Sequence, residues 1–108
     1  MFARKISIQL KPNMLAEFTR TFEDEIVPVL HKQQGFKGEI TFANHGSKDV
    51  LAISLWDSKK NADLYDSKTY KDVLKLMVNV VEGTPKVETA DVLHSTFNEI
   101  SVAKPVAA

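Results

Sequence analysis

Cysteine is absent from all 108 residues, which excludes disulfides, thiolate metal ligands and cysteine nucleophiles. An excess of either charge is missing too. Lys and Arg number 14 against 14 Asp and Glu, a formal net charge of zero. Nucleic-acid modules usually carry a basic surplus, because phosphate neutralisation supplies most of their affinity, so that class is disfavoured. Neutrality also leaves little long-range repulsion between copies, which is compatible with self-association. No apolar run nears the roughly 20 residues that cross a bilayer. The opening MFARKISIQLKPN lacks the apolar core of a secretory leader. The expectation is a cytoplasmic protein whose partners include neither nucleic acid nor membrane. Phosphate-cradling glycine loops, a GxSxG elbow and an HExxH pair are absent as well.

What is present is a core. With 44% apolar residues, the chain is the size of one domain with a single hydrophobic centre. Residues 1–100 are expected to form it, and 101–108, small and poor in large apolar side chains, to be a flexible tail.

Hydrophobic periodicity orders the elements. Ile6, Ile8 and Leu10 alternate with Lys5, Ser7 and Gln9, which predicts a strand covered on one face. From Met14 to Gln34 the period turns helical: Leu15, Phe18, Phe22, Ile26, Val29 and Leu30 form one stripe, with a kink expected at Pro28 and a left-handed stop at Gly35. Phe36, Ile40 and Phe42 alternate with Lys37, Glu39 and Thr41 in a second strand. A turn at Asn44 to Ser47, with positive φ at Gly46, leads into a third. That third strand, Asp49 to Trp56, is apolar on both sides: Leu51, Ile53 and Leu55 on one, Val50, Ala52 and Trp56 on the other. A helix follows Asp57-Ser58, Asp66-Ser67 offers a fresh cap, and Tyr70, Val73, Leu74, Met77 and Val81 make a stripe beyond it. Lys86 to about Phe97 reads as a last, edge-like strand.

Strand, long helix, two strands, broken helix and strand make an α+β class fold, a ferredoxin-like split βαβ sandwich with a four-stranded antiparallel sheet and helices on one face. The uncovered face would then carry large apolar side chains. Pairing two sheets covers them, so a homodimer through the open sheet face is expected, with the third strand and Ile6, Ile8, Phe36 and Phe42 in the shared core.

LAISLWDSKKNADLYDSKTYKDVLKLM carries a further signal: an apolar strand ending in Trp-Asp-Ser, an alanine in the turn, then aromatic, serine, aromatic and an amphipathic helix. With the long first helix and the V-E-T-A-D-V strand, it resembles the antibiotic-biosynthesis-monooxygenase-like (ABM) domains of the dimeric α/β-barrel superfamily over roughly residues 2 to 97. The resemblance implies a cavity between sheet and helices and a cofactor-independent monooxygenase acting on a small aromatic or quinol-type substrate. In such enzymes the substrate itself activates oxygen, so no cofactor and no metal are implied. The alternative is a non-catalytic domain of the same fold that binds a small apolar or aromatic ligand or only dimerises. The haem-degrading branch departs at three places: Tyr65 stands where it has a second tryptophan, Val73 to Leu76 offers no iron-binding histidine, and Arg4 to Ser7 holds no asparagine.

Candidate residues each carry a plainer reading beside the functional one. Phe22, Trp56, Tyr65, Tyr70 and Met77 are candidates for ligand binding; each also reads as core packing, Trp56 as the anchor closing one sheet end. Tyr65 sits at the family's ligand-facing aromatic position and joins the candidates for catalysis. The others are His94 and His45, the residue type suited to proton transfer near neutral pH, and Asn44. Turn propensity alone explains Asn44 and His45. His94 alternates onto a face with Val92. His31 reads as a helix C-terminal residue near the last carbonyls.

Overall fold

The computed structural model describes residues 1–44 and 46–96. His45, the proposed tail and the end of the proposed last strand lie outside these residues.

Four strands, β1 (Phe2–Gln9), β2 (Phe36–Ala43), β3 (Asp49–Trp56) and β4 (Lys86–Asp91), form one sheet in the order β2-β3-β1-β4. Every neighbouring pair is antiparallel. Helices α1 (Leu15–Thr21), α2 (Val27–His31), α3 (Lys59–Lys68) and α4 (Tyr70–Met77) cover one face. This is the ferredoxin-like α+β sandwich that the periodicity predicts. The core between the layers joins Phe2, Ile6 and Ile8 of β1 to Phe18, Ile26, Trp56, Val73 and Met77.

Ile6 and Ile8 therefore belong to the helix-covered core and not to the open face. The expectation that they would join a shared dimer core is corrected. Phe36 is corrected with them. A bulge between Phe36 and Gly38 places one extra residue in β2, so Phe36 pairs with Trp56 on the inner side while Gly38, Ile40 and Phe42 pair with Leu55, Ile53 and Leu51 on the outer side. A one-residue insertion inverts every side chain beyond it. Glu39, Thr41 and Ala43 consequently face the helices.

The first helix also differs from a simple kink at Pro28. Proline lacks the amide that would pair with the Asp24 carbonyl, and the chain widens into a turn of π-helix over Phe22–Ile26, directly upstream. Val27 N–H then bonds the Phe22 carbonyl, five residues back. Gly35 stops the segment with φ of +83°, and a Cβ there would lie 2.4 Å from Asp57 Oδ1. Only glycine fits that approach.

Ser58 caps α3, its Oγ accepting from Asn61 N–H at 3.2 Å. The break between α3 and α4 falls at Thr69, not at Asp66-Ser67, because Asp66 is engaged with β1. Strand β4 ends at Asp91. His94 lies beyond it, exposed, and is not the mid-strand residue that the alternation suggests. No described helix is long and apolar enough to cross a membrane.

Candidate functional site

Strand β1 places a charge where its neighbours place hydrocarbon. Phe2, Ile6 and Ile8 fill the inward positions, and Arg4, between them, is 1% exposed. Its Nη2 donates to Asp66 Oδ1 at 2.7 Å. Its guanidinium carbon stands 5.0 Å from the Tyr65 ring centre and 4.4 Å from that of Tyr70. Aromatic faces attract a desolvated cation, so two rings and one carboxylate together make this burial tolerable. Arg4 Nη1 and the Tyr70 hydroxyl have no hydrogen-bond partner among the described residues.

An aromatic ladder supports the cation. Tyr65 stacks on Trp56 with centres 5.0 Å apart and lies 6.0 Å from Tyr70. Trp56 is 0% exposed, donates from Nε1 to Ser54 Oγ at 2.9 Å and meets Phe36 edge-on at 5.6 Å. Burial holds the Tyr65 and Tyr70 hydroxyls above the ordinary phenol range, with the Arg4 cation opposing that shift. Both remain protonated at neutral pH and can act as donors.

A small inner cavity adjoins this cluster, and an outer one shares two walls with the inner. The outer one, about 690 Å³, is a groove between the helical layer and β2. Leu15, Phe18, Phe22 and Val27 form its apolar wall, and Glu39, Thr41 and Ala43 its floor. That volume is in the usual range for small-molecule sites, roughly 300–1,000 Å³. The inner one, about 20 Å³, is bounded by Arg4, Ser54, Tyr65 and Ala52, with Ile6 and Ile26. Phe22 and Glu39 line both. Glu39 accepts a hydrogen bond from Thr41 Oγ1. Desolvation raises its pKa above the ordinary value of 4.5, and the Thr41 bond partly offsets the rise. A carboxyl so placed can exchange a proton with a ligand in the groove.

The sequence-predicted residues divide. Phe22, Tyr65 and Tyr70 come together around Arg4 or its cavities. Trp56 supports Tyr65 from behind and walls neither cavity. Met77 lines a separate space of about 140 Å³ with Leu74, Val78 and Val81. Asn44 is exposed at the end of β2, bordering a third groove on the other side of the sheet. His94 lines none of these spaces, and His31 is exposed, edge-on to Phe36 at 5.3 Å. Sequence reasoning missed Arg4 and Glu39. A charge on the inward phase of an apolar strand was the signal for Arg4. Gly38, a residue that often marks a bulge in a strand, was the signal for Glu39.

No family model and no curated protein matches the chain. Solved structures do. A candidate antibiotic biosynthesis monooxygenase from Bordetella bronchiseptica is 18% identical, with 85% of this chain and 97% of that one covered and a TM-score of 0.70. The monooxygenase of the ActVA-Orf6 gene of Streptomyces coelicolor, in complex with the ligand nanaomycin D, is 12% identical over 89% and 90% of the two chains, TM-score 0.71. SnoaB, a cofactor-independent oxygenase from Streptomyces nogalater represented by a point mutant, is 11% identical over 88% and 95%, TM-score 0.72. Proteins without an assigned function share the architecture too. At these identities the likeness concerns the fold, and the fold of this chain is that of the antibiotic biosynthesis monooxygenase-like proteins.

Proposed function

We propose that this protein is a cofactor-independent monooxygenase-like enzyme acting on a small aromatic or quinol-type substrate held in the groove between the helical layer and β2. The observation that carries this reading is the pairing of an apolar groove with one half-buried carboxyl, Glu39, at its inner end. The fold shared with oxygenases supports it. Phe18 and Phe22 would pack on the substrate ring and exclude water. Glu39 would accept a proton from an activated carbon or hydroxyl. The resulting electron-rich anion can reduce dioxygen by one electron, recombination gives a carbon-bound peroxide anion, and the proton held by Glu39 returns to it to form the hydroperoxide. Loss of water then leaves a carbonyl. In balance, one ring methylene and one dioxygen become one carbonyl and one water.

The working unit in this proposal is a homodimer formed through the open sheet face. Ile40 and Phe42 are 45% and 51% exposed there, beside Leu51, and covering such a patch favours association. A second reading, a non-catalytic small-ligand-binding or dimerisation domain, draws support from the groove lining, in which, among the described residues, no histidine stands beside Glu39 to complete an acid–base pair.

Oxygen uptake separates the two. Anthrone- and naphthohydroquinone-type compounds would be offered with a chelator present. Consumption that is lost in Glu39→Gln, with an acid limb above the ordinary glutamate range, is the expected result. Tight binding without oxygen uptake would assign the groove to the non-catalytic reading.

A further inference from the structure

The inner cavity combines a size and a donor that an ordinary packing gap lacks. About 20 Å³ accommodates a single water-sized atom. Arg4 lines it, and Arg4 Nη1 is buried with no partner among the described residues. An unmade hydrogen bond from a buried charged donor is costly, and a guanidinium is suited to an oxyanion. Its charge is only partly answered. Asp66 on Nη2 is 55% exposed, so water weakens that pair without cancelling it. From α3 and α4, Tyr65 and Tyr70 present ring faces, and their neutral hydroxyls lie within electrostatic reach of the cation. From the sheet, Ser54 is neutral and Glu39 is turned along its own strand to Thr41 Oγ1.

We propose that the inner cavity is an oxygen-sized subsite in which Arg4 Nη1 donates to the ionised hydroxyl of an aromatic ligand whose ring lies in the outer groove, so that this protein selects phenols and binds them as phenolates. Phe22 and Glu39 are walls common to both spaces, and in the proposed complex Glu39 rotates away from Thr41 to join them. The inference rests on the groove being a ligand site. It does not rest on turnover.

The test uses 4-nitrophenol, whose phenolate is coloured, and 4-nitroanisole, which has the same ring and no ionisable hydroxyl. Bound to the intact protein, the phenol should ionise roughly one to three pH units below the free probe, the effect of a cation within hydrogen-bonding range. The anisole should bind at least about tenfold more weakly, the factor that one such unit represents. Asp66→Asn leaves the buried cation less compensated and should lower the bound ionisation further. Arg4→Met should abolish the shift. Should Arg4→Met fail to fold, Asp66→Asn decides alone, since the Asp66 side chain is half in water. The proposal is overturned if the bound phenol ionises at or above the pH of the free probe, or if the anisole binds equally well. It is also overturned if neither compound binds, if Asp66→Asn leaves the titration unmoved, or if folded Arg4→Met keeps the shift. None of these readouts consumes oxygen. Phenolate binding without oxygen uptake would therefore sink the oxygenase reading and leave this one standing.

Discussion

The two faces of the sheet handle polarity in opposite ways. On the helix-covered face, Arg4 is, among the described residues, the charged side chain held fully inside an aromatic and aliphatic core. On the open face, the β2–β3 half carries Ile40, Phe42 and Leu51 in contact with solvent, while the β1–β4 half carries Lys5 opposite Glu88 and Ser7 opposite Lys86. The inner face has too much charge for a simple core, and half of the outer face has too little for a simple surface. Each anomaly is a cost that a lone, ligand-free monomer would not need to bear. In the function proposed above, a ligand meets the first and another copy of the chain the second.

The inner face is most sharply tested at its anchor. Trp56 touches Tyr65, Phe36 and Ser54 at once. Trp56→Ala should cost about 3–5 kcal/mol in denaturant unfolding, the range for deleting a large buried aromatic. It should also loosen the stack beneath Arg4. A near-neutral result would place the ring at a pocket rim and dissolve the contrast between the two faces.

The outer face is tested by charge. Ile53 is half-buried in the monomer and points outward between Ile40 and Lys5. Ile53→Lys should yield a folded monomer, because a lysine buried without a partner in a two-fold interface is present twice. At about 1.4 kcal/mol per tenfold, even a few kcal/mol raises the dissociation constant by at least a hundredfold. Sedimentation of both proteins checks this. An unchanged dimer would remove the outer face from the interface, and an unfolded chain would move Ile53 into the core.

How far these faces were legible in the sequence depended on whether period-two counting stayed in phase. In β3 it did: Val50, Ala52 and Trp56 lie inward and Leu51, Ile53 and Leu55 outward, as the alternation predicts. In β2 it did not, because the bulge after Phe36 adds a residue that counting takes no account of. Phe36 was therefore grouped with Ile40 and Phe42 on the open face, and the groove floor went unseen. Arg4 was in phase and still overlooked. Its role depends on Asp66, 62 positions away, and on two rings from different helices, pairings that no local window contains. The π-turn over Phe22–Ile26 has a local cause in Pro28, yet proline specifies only that the helix must yield, not where it widens. The histidines attracted attention for their chemistry. Burial picked out a carboxylate and a guanidinium instead.

The smallest expected effect sharpens the comparison most closely, because it probes the boundary between groove and core. Glu39 has a folded-state pKa raised by desolvation, so the native state holds its proton more firmly than the unfolded chain does. Stability then falls as pH rises from the unfolded value toward the folded one, and levels off above it. Glu39→Gln keeps an acceptor for Thr41 Oγ1 and removes the titration. Relative to wild type, the variant should gain stability across that window and gain no more beyond it. Urea midpoints measured from acid to neutral pH provide the check. A difference that does not change with pH would mean that Glu39 meets water as freely as any outer-face carboxylate, and the groove would then have no buried base at its inner end.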